Sequence, residues 1–232
     1  MSQPSAASVK ETVDLLQKRL KKEKYSGQVF WVDTPLYYQG NRGLIRYYEE
    51  MAGQYERGWV LHNDPGLIRP NKPPFKRENI RTNILKRVCL LEGVEGLIFS
   101  GSLERANHYQ KAVRSAPRFR IYDGEEIRFL SHPSMGGVVS LGANLLPKAW
   151  QKVTSSSLGL EKEEYPDRLQ QIFDAGAQAG ALVGLYRRNP VPLIKQTLFR
   201  KGILESPFSF RGDAEPQSAK ELFDWLEAGK EF

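Results

Sequence analysis

Few side chains in this 232-residue sequence combine useful chemistry with a position where a strand or loop could present them. His62 ends the apolar run Gly58-Trp-Val-Leu-His-Asn63, just before the turn Asp64-Pro65-Gly66. An imidazole titrates near neutral pH and can pass protons, or it can be satisfied by a neighbouring carbonyl. Cys89 is the only cysteine, so an internal disulfide and a cysteine-rich zinc site are both excluded. Inside Val88-Cys-Leu-Leu91 it reads as a small core residue. The formal net charge of +7 raises nucleic acid or anionic metabolites as partners. The densest cations, Lys18, Arg19, Lys21, Lys22 and Lys24, fall at the end of a helical pattern, where they suit the helix dipole. No zinc-finger spacing, aromatic RNA-binding motif or glycine-lysine phosphate loop accompanies them, which argues against nucleic acid.

The elements that would position these residues follow a regular pattern. A Ser/Ala-rich tail of residues 1–8 leads into a helix that Val9, Val13, Leu15, Leu16 and Leu20 place over Ser8–Lys22. Strand Gln28–Asp33, helix Gly43–Ala52 and strand Gly58–Asn63 follow. Beyond a polar, Pro-rich stretch come helix Asn79–Leu91, strand Val94–Phe99, helix Leu103–Ser115 and strand Arg118–Tyr122. A helical piece, Glu125–His132, precedes a fifth expected strand, Met135–Leu141. From Leu145 onward the pattern is helical: Leu145–Leu160, Tyr165–Leu185, Pro192–Gly202 and Ser218–Ala228. Such alternation predicts an α/β fold with a parallel sheet over residues 9–144 and a helical region over 145–232. The apolar and aromatic content, 40% and 11%, supports a packed core. A mean hydropathy of −0.50 and the lack of a long apolar run exclude a helical membrane span. The N-terminus shows no secretory signal, so the expected compartment is cytoplasm.

Six stretches, in order, resemble motifs of the dihydrodipicolinate synthase and N-acetylneuraminate lyase family of pyruvate aldolases. Val32-Asp-Thr-Pro-Leu-Tyr-Tyr-Gln39 resembles the family's TPYY segment, and Val60-Leu-His-Asn-Asp-Pro-Gly66 its VLYNVPG. Val94-Glu-Gly-Leu-Ile-Phe99 with Ser102-Leu-Glu-Arg105 resembles VGIKEASGDLER, and Tyr122-Asp-Gly-Glu-Glu126 resembles SGDD. Gly137-Val-Val-Ser-Leu-Gly-Ala-Asn144 resembles GVISVTAN, and Asn189-Pro-Val-Pro-Leu-Ile-Lys195 resembles NPIPVK. The resemblance runs from about Val9 to Leu204. It implies a TIM barrel with its site at the C-terminal strand ends. The family has eight strands, whereas the motifs found here match only the last five βα units, a partial barrel. Either the chain is a natural short relative, or an N-terminal portion is lacking; Met1 and the Ser/Ala tail favour a genuine start.

The same resemblance implies what chemistry is missing. The family's imine-forming lysine corresponds to Ile98, and its proton-relaying tyrosine to His62. Its carboxylate-binding arginine corresponds to Leu67, with Arg69 as a candidate substitute. No expected strand carries a lysine, and Lys86, Lys111 and Lys195 are expected as exposed helical charges. Thr34, Tyr37, Tyr38, His62, Asn63 and Val139 remain as candidate contacts to a small keto acid. Tyr37 and Tyr38, together with an open sheet edge, are candidates for contact with a second chain. Neither a cofactor nor a metal is implied.

Three readings follow from these residues. The first is a catalytically degenerate member acting as a binding or subunit-level component. The second is an active lyase or aldolase with relocated groups, or one completed by another chain. The third is a basic α/β module that binds anions or nucleic acid.

Overall fold

The structure, a computed structural model, describes residues 4–71, 77–133, 135–157, 159, 167–210 and 212–229. Its chain contacts form two compact units, divided between Gly124 and Glu125.

The first unit opens with helix α1, Ala6–Lys22. Ser5 caps it by accepting the Ser8 N–H at 3.1 Å, so residues expected in the tail are already helical. Val9 and Val13 are fully buried, and the chain leaves the helix through Lys24 at φ 51°. Four parallel strands follow in spatial order β1-β2-β3-β4: β1 Trp31–Asp33, β2 Trp59–Asn63, β3 Val94–Phe99 and β4 Arg120–Asp123. Helices α2 (Leu44–Gln54), α3 (Pro65–Ile68), α4 (Thr82–Val88) and α5 (Leu103–Ala112) lie between them in the chain.

Register pairs His62 with Ile98 and Ile98 with Tyr122, and likewise Leu61 with Leu97 and Leu97 with Ile121. Paired residues of a parallel sheet point to the same side, so the sheet has two distinct faces. One face carries Trp31, Asp33, Trp59, Leu61, Asn63, Leu97, Phe99, Ile121 and Asp123, all buried. The other carries Val32, Val60, His62, Ile98 and Tyr122, of which Val32, His62 and Tyr122 are only half-buried. At Gly96 this second face has no room for a Cβ, which would lie 2.6 Å from the Arg120 carbonyl oxygen and 3.1 Å from the Tyr122 ring.

Aromatic rings join β2 to α2: Tyr47, Tyr48, Trp59 and Tyr55 succeed one another at centroid distances of 5.2 to 6.0 Å. Within this cluster the Asp33 carboxylate is fully buried. Its Oδ2 accepts hydrogen bonds from Tyr38 at 2.6 Å and Tyr48 at 2.8 Å. The Tyr38 hydroxyl has a single proton, which it gives to Asp33. Its 2.9 Å hydrogen bond to the Tyr47 hydroxyl is therefore one in which Tyr47 donates. Burial pushes the Asp33 carboxyl above its ordinary range, and the two tyrosines partly oppose that rise.

The second unit contains α6 (Glu126–Ser131), α7 (Pro147–Ser157), α8 (Asp167–Tyr186), α9 (Pro190–Arg200) and α10 (Pro216–Ala228). Phe129, Trp150, Leu182, Tyr186, Leu193 and Leu222 lie at its core.

Two expectations need correction. The sheet has four strands among the described residues, because 135–141 contributes only a single bridged residue, Val138. Gly137 adopts φ 154°, and the Ser140 hydroxyl and Gly142 N–H are committed to Glu126 rather than to a sheet neighbour. The unit boundary consequently falls after Gly124 instead of at 144/145, since Glu126 and Phe129 join the helical core through Tyr186 and its neighbours. The centre of the Pro-rich stretch (72–76) and residues 160–166 between α7 and α8 lie outside the described residues. Among the described residues no helix is long and apolar enough to cross a membrane.

Tyr48→Phe should lower unfolding stability by about 1–3 kcal/mol, because it strips a donor from a buried carboxyl without opening a cavity. Urea denaturation at an unchanged m-value is the check. A loss under half a kcal/mol would show that water replaces the hydroxyl.

Candidate functional site

The strand ends in the first unit place the candidate residues on two opposite faces. On the half-buried face, His62 and Ile98 stand side by side on adjacent strands, with Tyr122 next in register. Ile98 is 8% exposed. Its neighbourhood is tight: a Cβ on Gly124 would come within 3.3 Å of Ile98 Cγ2 and 2.1 Å of Ser100 Oγ, so a larger residue at the exit of β4 would force Ser100 to move. Thr34 reaches His62 from the end of β1, its Oγ1 lying 3.3 Å from His62 Nδ1. The imidazole partner is thus a hydroxyl, where the sequence pointed to a carbonyl. Desolvation lowers the His62 pKa, and nearby Asp64 only partly opposes it. The ring is neutral at pH 7 and can accept or relay a proton.

Tyr38 does not join this group. Its hydroxyl is turned to Asp33 on the helix-covered face, inside the network with Tyr47 and Tyr48. Tyr37 sits beside it in the short 3-10 turn Pro35–Tyr37 and is half-buried.

Asn63 is fully buried on that same covered face. Its Nδ2 donates to the Glu78 carbonyl at 3.0 Å, and its Oδ1 accepts from the Ile80 N–H at 2.9 Å, with the Tyr109 hydroxyl 3.1 Å from the same oxygen. Both ends of the amide are occupied by the protein itself. Leu67 lies in α3, whose start is capped by Asp64 Oδ1. Arg69, two residues on, makes a forked contact with Glu78, at 3.2 Å through Nε and 3.1 Å through Nη2. To bind a substrate carboxylate it would have to exchange one partner for another.

Lys86 lies on α4 and Lys111 on α5, both exposed, while Lys195 on α9 donates to the Phe208 carbonyl at 2.8 Å. None is on a strand. Val139, in the second unit, is 44% exposed. Close to it in sequence, Glu126 Oε1 accepts from the Ser140 hydroxyl at 2.6 Å and the Gly142 N–H at 2.9 Å, and Oε2 accepts from Tyr186 Oη at 2.6 Å. Among the described residues no group of three His, Cys, Asp or Glu side chains could hold a metal ion.

Sequence reasoning missed the Asp33–Tyr38–Tyr48 network and the Glu126 clamp. Asp33 left one usable signal: a lone acid closing the otherwise apolar run Val29–Val32 is a candidate for burial.

His62 supplies a pH test. Its folded pKa lies below the ordinary 6.5, so the unfolded chain binds the proton first as pH falls. The neutral ring's contribution to stability is complete above 6.5 and is lost as pH falls from 6.5 through the folded value. His62→Gln should therefore lose less stability than wild type between pH 7 and pH 5. Melting curves across that range check it; parallel losses would contradict a buried neutral imidazole.

No protein-family model matches the sequence, and no curated protein matches it. Solved structures do. A monomeric dihydrodipicolinate synthase variant superposes with TM-score 0.71 at 19% identity, over 97% of this chain and 71% of its own. Dihydrodipicolinate synthase from Thermotoga maritima gives 0.69 at 17%, over 97% and 72%. YagE from E. coli K12, a prophage protein of the dihydrodipicolinic acid synthase family solved with pyruvate, gives 0.70 at 17%, over 97% and 73%. The structural neighbours are consistently of this one family, and the fold of the chain is the α/β fold of the dihydrodipicolinate synthases.

Proposed function

We propose that the chain is a dihydrodipicolinate synthase-like protein that has lost imine chemistry and serves as a binding or subunit-level component built on a partial barrel. The observation that carries this reading is Ile98. At the strand position where the family resemblance calls for the imine-forming lysine, a branched aliphatic side chain lies buried beside His62. An imine needs an amine, and the strands β1 to β4 contain none. His62 keeps a proton acceptor at the relay position, but Leu67 offers no charge for a substrate carboxylate. Val32, His62 and Tyr122 leave a half-buried face that suits a small keto acid held without covalent attachment.

A subunit role fits the edge of the sheet. β1 stands at one end of the strand order among the described residues, and Phe30 beside it is 42% exposed. Edge strands favour association. Because the Tyr38 hydroxyl is used internally, Tyr37 is the ring of the pair offered to a second chain. Light scattering at micromolar concentration should show a species larger than the 26.4 kDa chain. A monodisperse monomer that melts cooperatively would remove the subunit role.

Borohydride trapping with pyruvate, read by intact mass, tests the chemistry. No adduct is expected on the unmodified protein. Ile98→Lys alone should also form none, since imine catalysis needs lysine, relay and carboxylate cradle together. That variant should be destabilised by more than about 2 kcal/mol, because a charge enters an apolar site. An adduct on the unmodified chain, above all at Lys86, Lys111 or Lys195, would show that the nucleophile has moved and would overturn the reading.

A further inference from the structure

Residues 78–81 are held with unusual thoroughness. Asn63 Nδ2 donates to the Glu78 carbonyl at 3.0 Å, and Asn41 Nδ2 to the Asn79 carbonyl at 3.1 Å. The Ile80 N–H donates to Asn63 Oδ1 at 2.9 Å, the Arg81 N–H to Asn41 Oδ1 at 2.6 Å, and Tyr109 Oη to the Ile80 carbonyl at 2.7 Å. Two asparagines and a tyrosine thus fix an irregular segment at the C-terminal end of β2. With Arg105, in the first turn of α5 after β3, this segment encloses a cleft of about 210 Å³ lined by Arg77, Glu78, Asn79, Ile80, Arg81 and Arg105.

The charge balance of the cleft is one-sided. The one carboxylate among its described lining residues, Glu78, is already engaged by the guanidinium fork of Arg69. Among the described residues Arg77, Arg81 and Arg105 form no ion pair, and Arg105 is oriented over the Tyr109 ring at 5.9 Å. Guanidinium groups stay protonated and only donate, so three of them cannot satisfy one another. Their chemistry matches an oxyanion with several acceptor atoms.

We propose that this cleft binds the phosphate group of a small phosphorylated metabolite. A phosphomonoester carries nearly two negative charges and three terminal oxygens, enough for three guanidiniums, whereas one carboxylate is satisfied by a single fork. The volume holds a phosphate and a few further atoms and is below that of a site for a drug-sized ligand. The position agrees with the general rule that α/β folds bind ligands beyond the carboxyl ends of their strands. This inference requires neither the keto-acid ligand nor the loss of imine chemistry.

Calorimetric titration of the full chain at fixed ionic strength, with inorganic phosphate, glycerol 3-phosphate and succinate as separate probes, tests it. The two phosphates should bind saturably and succinate much more weakly. Arg77→Gln combined with Arg105→Gln should weaken phosphate binding about tenfold or more, since each charge-assisted hydrogen bond contributes about a factor of ten. Arg81→Gln alone, a milder change at an exposed side chain, should weaken it in the same direction. Lys220→Gln on α10 should leave it unchanged, separating the cleft from the general positive charge. Equal affinity in the double variant, succinate binding as tightly as phosphate, or no saturable binding by wild type would each overturn the proposal.

Discussion

A buried polar group must find a partner inside the protein, and the C-terminal ends of these strands depend on how that demand is met. On the helix-covered face Asp33, Asn63 and Asp123 are completely buried. Asn63 meets the demand by binding the backbone on both sides of Asn79, and its own carbonyl accepts the Ser100 N–H at 3.1 Å. One residue, through its side-chain amide and its backbone carbonyl, therefore fixes both the loop that follows β2 and the start of the loop that follows β3. Asp33 meets it at Oδ2 alone, with tyrosine hydroxyls from Tyr38, just after the 3-10 turn, and from Tyr48 on α2. The order of the loops is thus set by polar contacts beneath them, and only their outward side chains are left for a ligand.

On the proposed reading, this arrangement would let the scaffold persist without the lysine. Ile98 points to the other face, where no polar anchor depends on it. A branched aliphatic there packs against the Gly124 exit and needs no counter-charge, whereas a lysine would need desolvation managed by its neighbours. The residues that hold the backbone and the residues that would do imine chemistry are therefore different residues on different faces. On that reading, loss of the second set would leave the first intact, which is compatible with a fold that superposes at 17–19% identity.

The order of elements in the first unit was legible in the sequence because short apolar runs ended at turn residues and alternated with helical spacing. The pairing of His62 with Ile98 followed from that order and from the resemblance, since consecutive parallel strands sit side by side. Faces were less legible. Tyr37 and Tyr38 read as one aromatic pair, yet the Tyr38 hydroxyl is drawn to Asp33, a long-range preference that no local pattern records. Asn63 read as a ligand contact because its partners, Glu78, Ile80 and Tyr109, lie 15 to 46 positions away. The arginine cleft was invisible for the same reason: Arg77 and Arg105 line one cleft only once the segment before α4 meets the start of α5.

The misplaced fifth strand shows how a half-buried carboxylate can outweigh a local pattern. Met135–Leu141 has the β-branched and apolar content of a strand, but a strand there would need its amide and hydroxyl groups in a ladder or in solvent. Glu126 takes them instead, gathering the Ser140 hydroxyl, the Gly142 N–H and the Tyr186 hydroxyl on two oxygens, and Ser140 Oγ in turn accepts the Ala143 N–H at 2.9 Å. Hydrogen bonds to a charged acceptor are about twice as strong as neutral ones, so three of them offset the loss of a short ladder. Gly142 makes the clamp sterically feasible: a Cβ there would lie 2.6 Å from Tyr186 Oη and 2.8 Å from Trp150 Nε1. Because the clamp ends on α8, the segment from Glu125 to Asn144 is bound to the helical core, and the division of the chain moves to Gly124 with it.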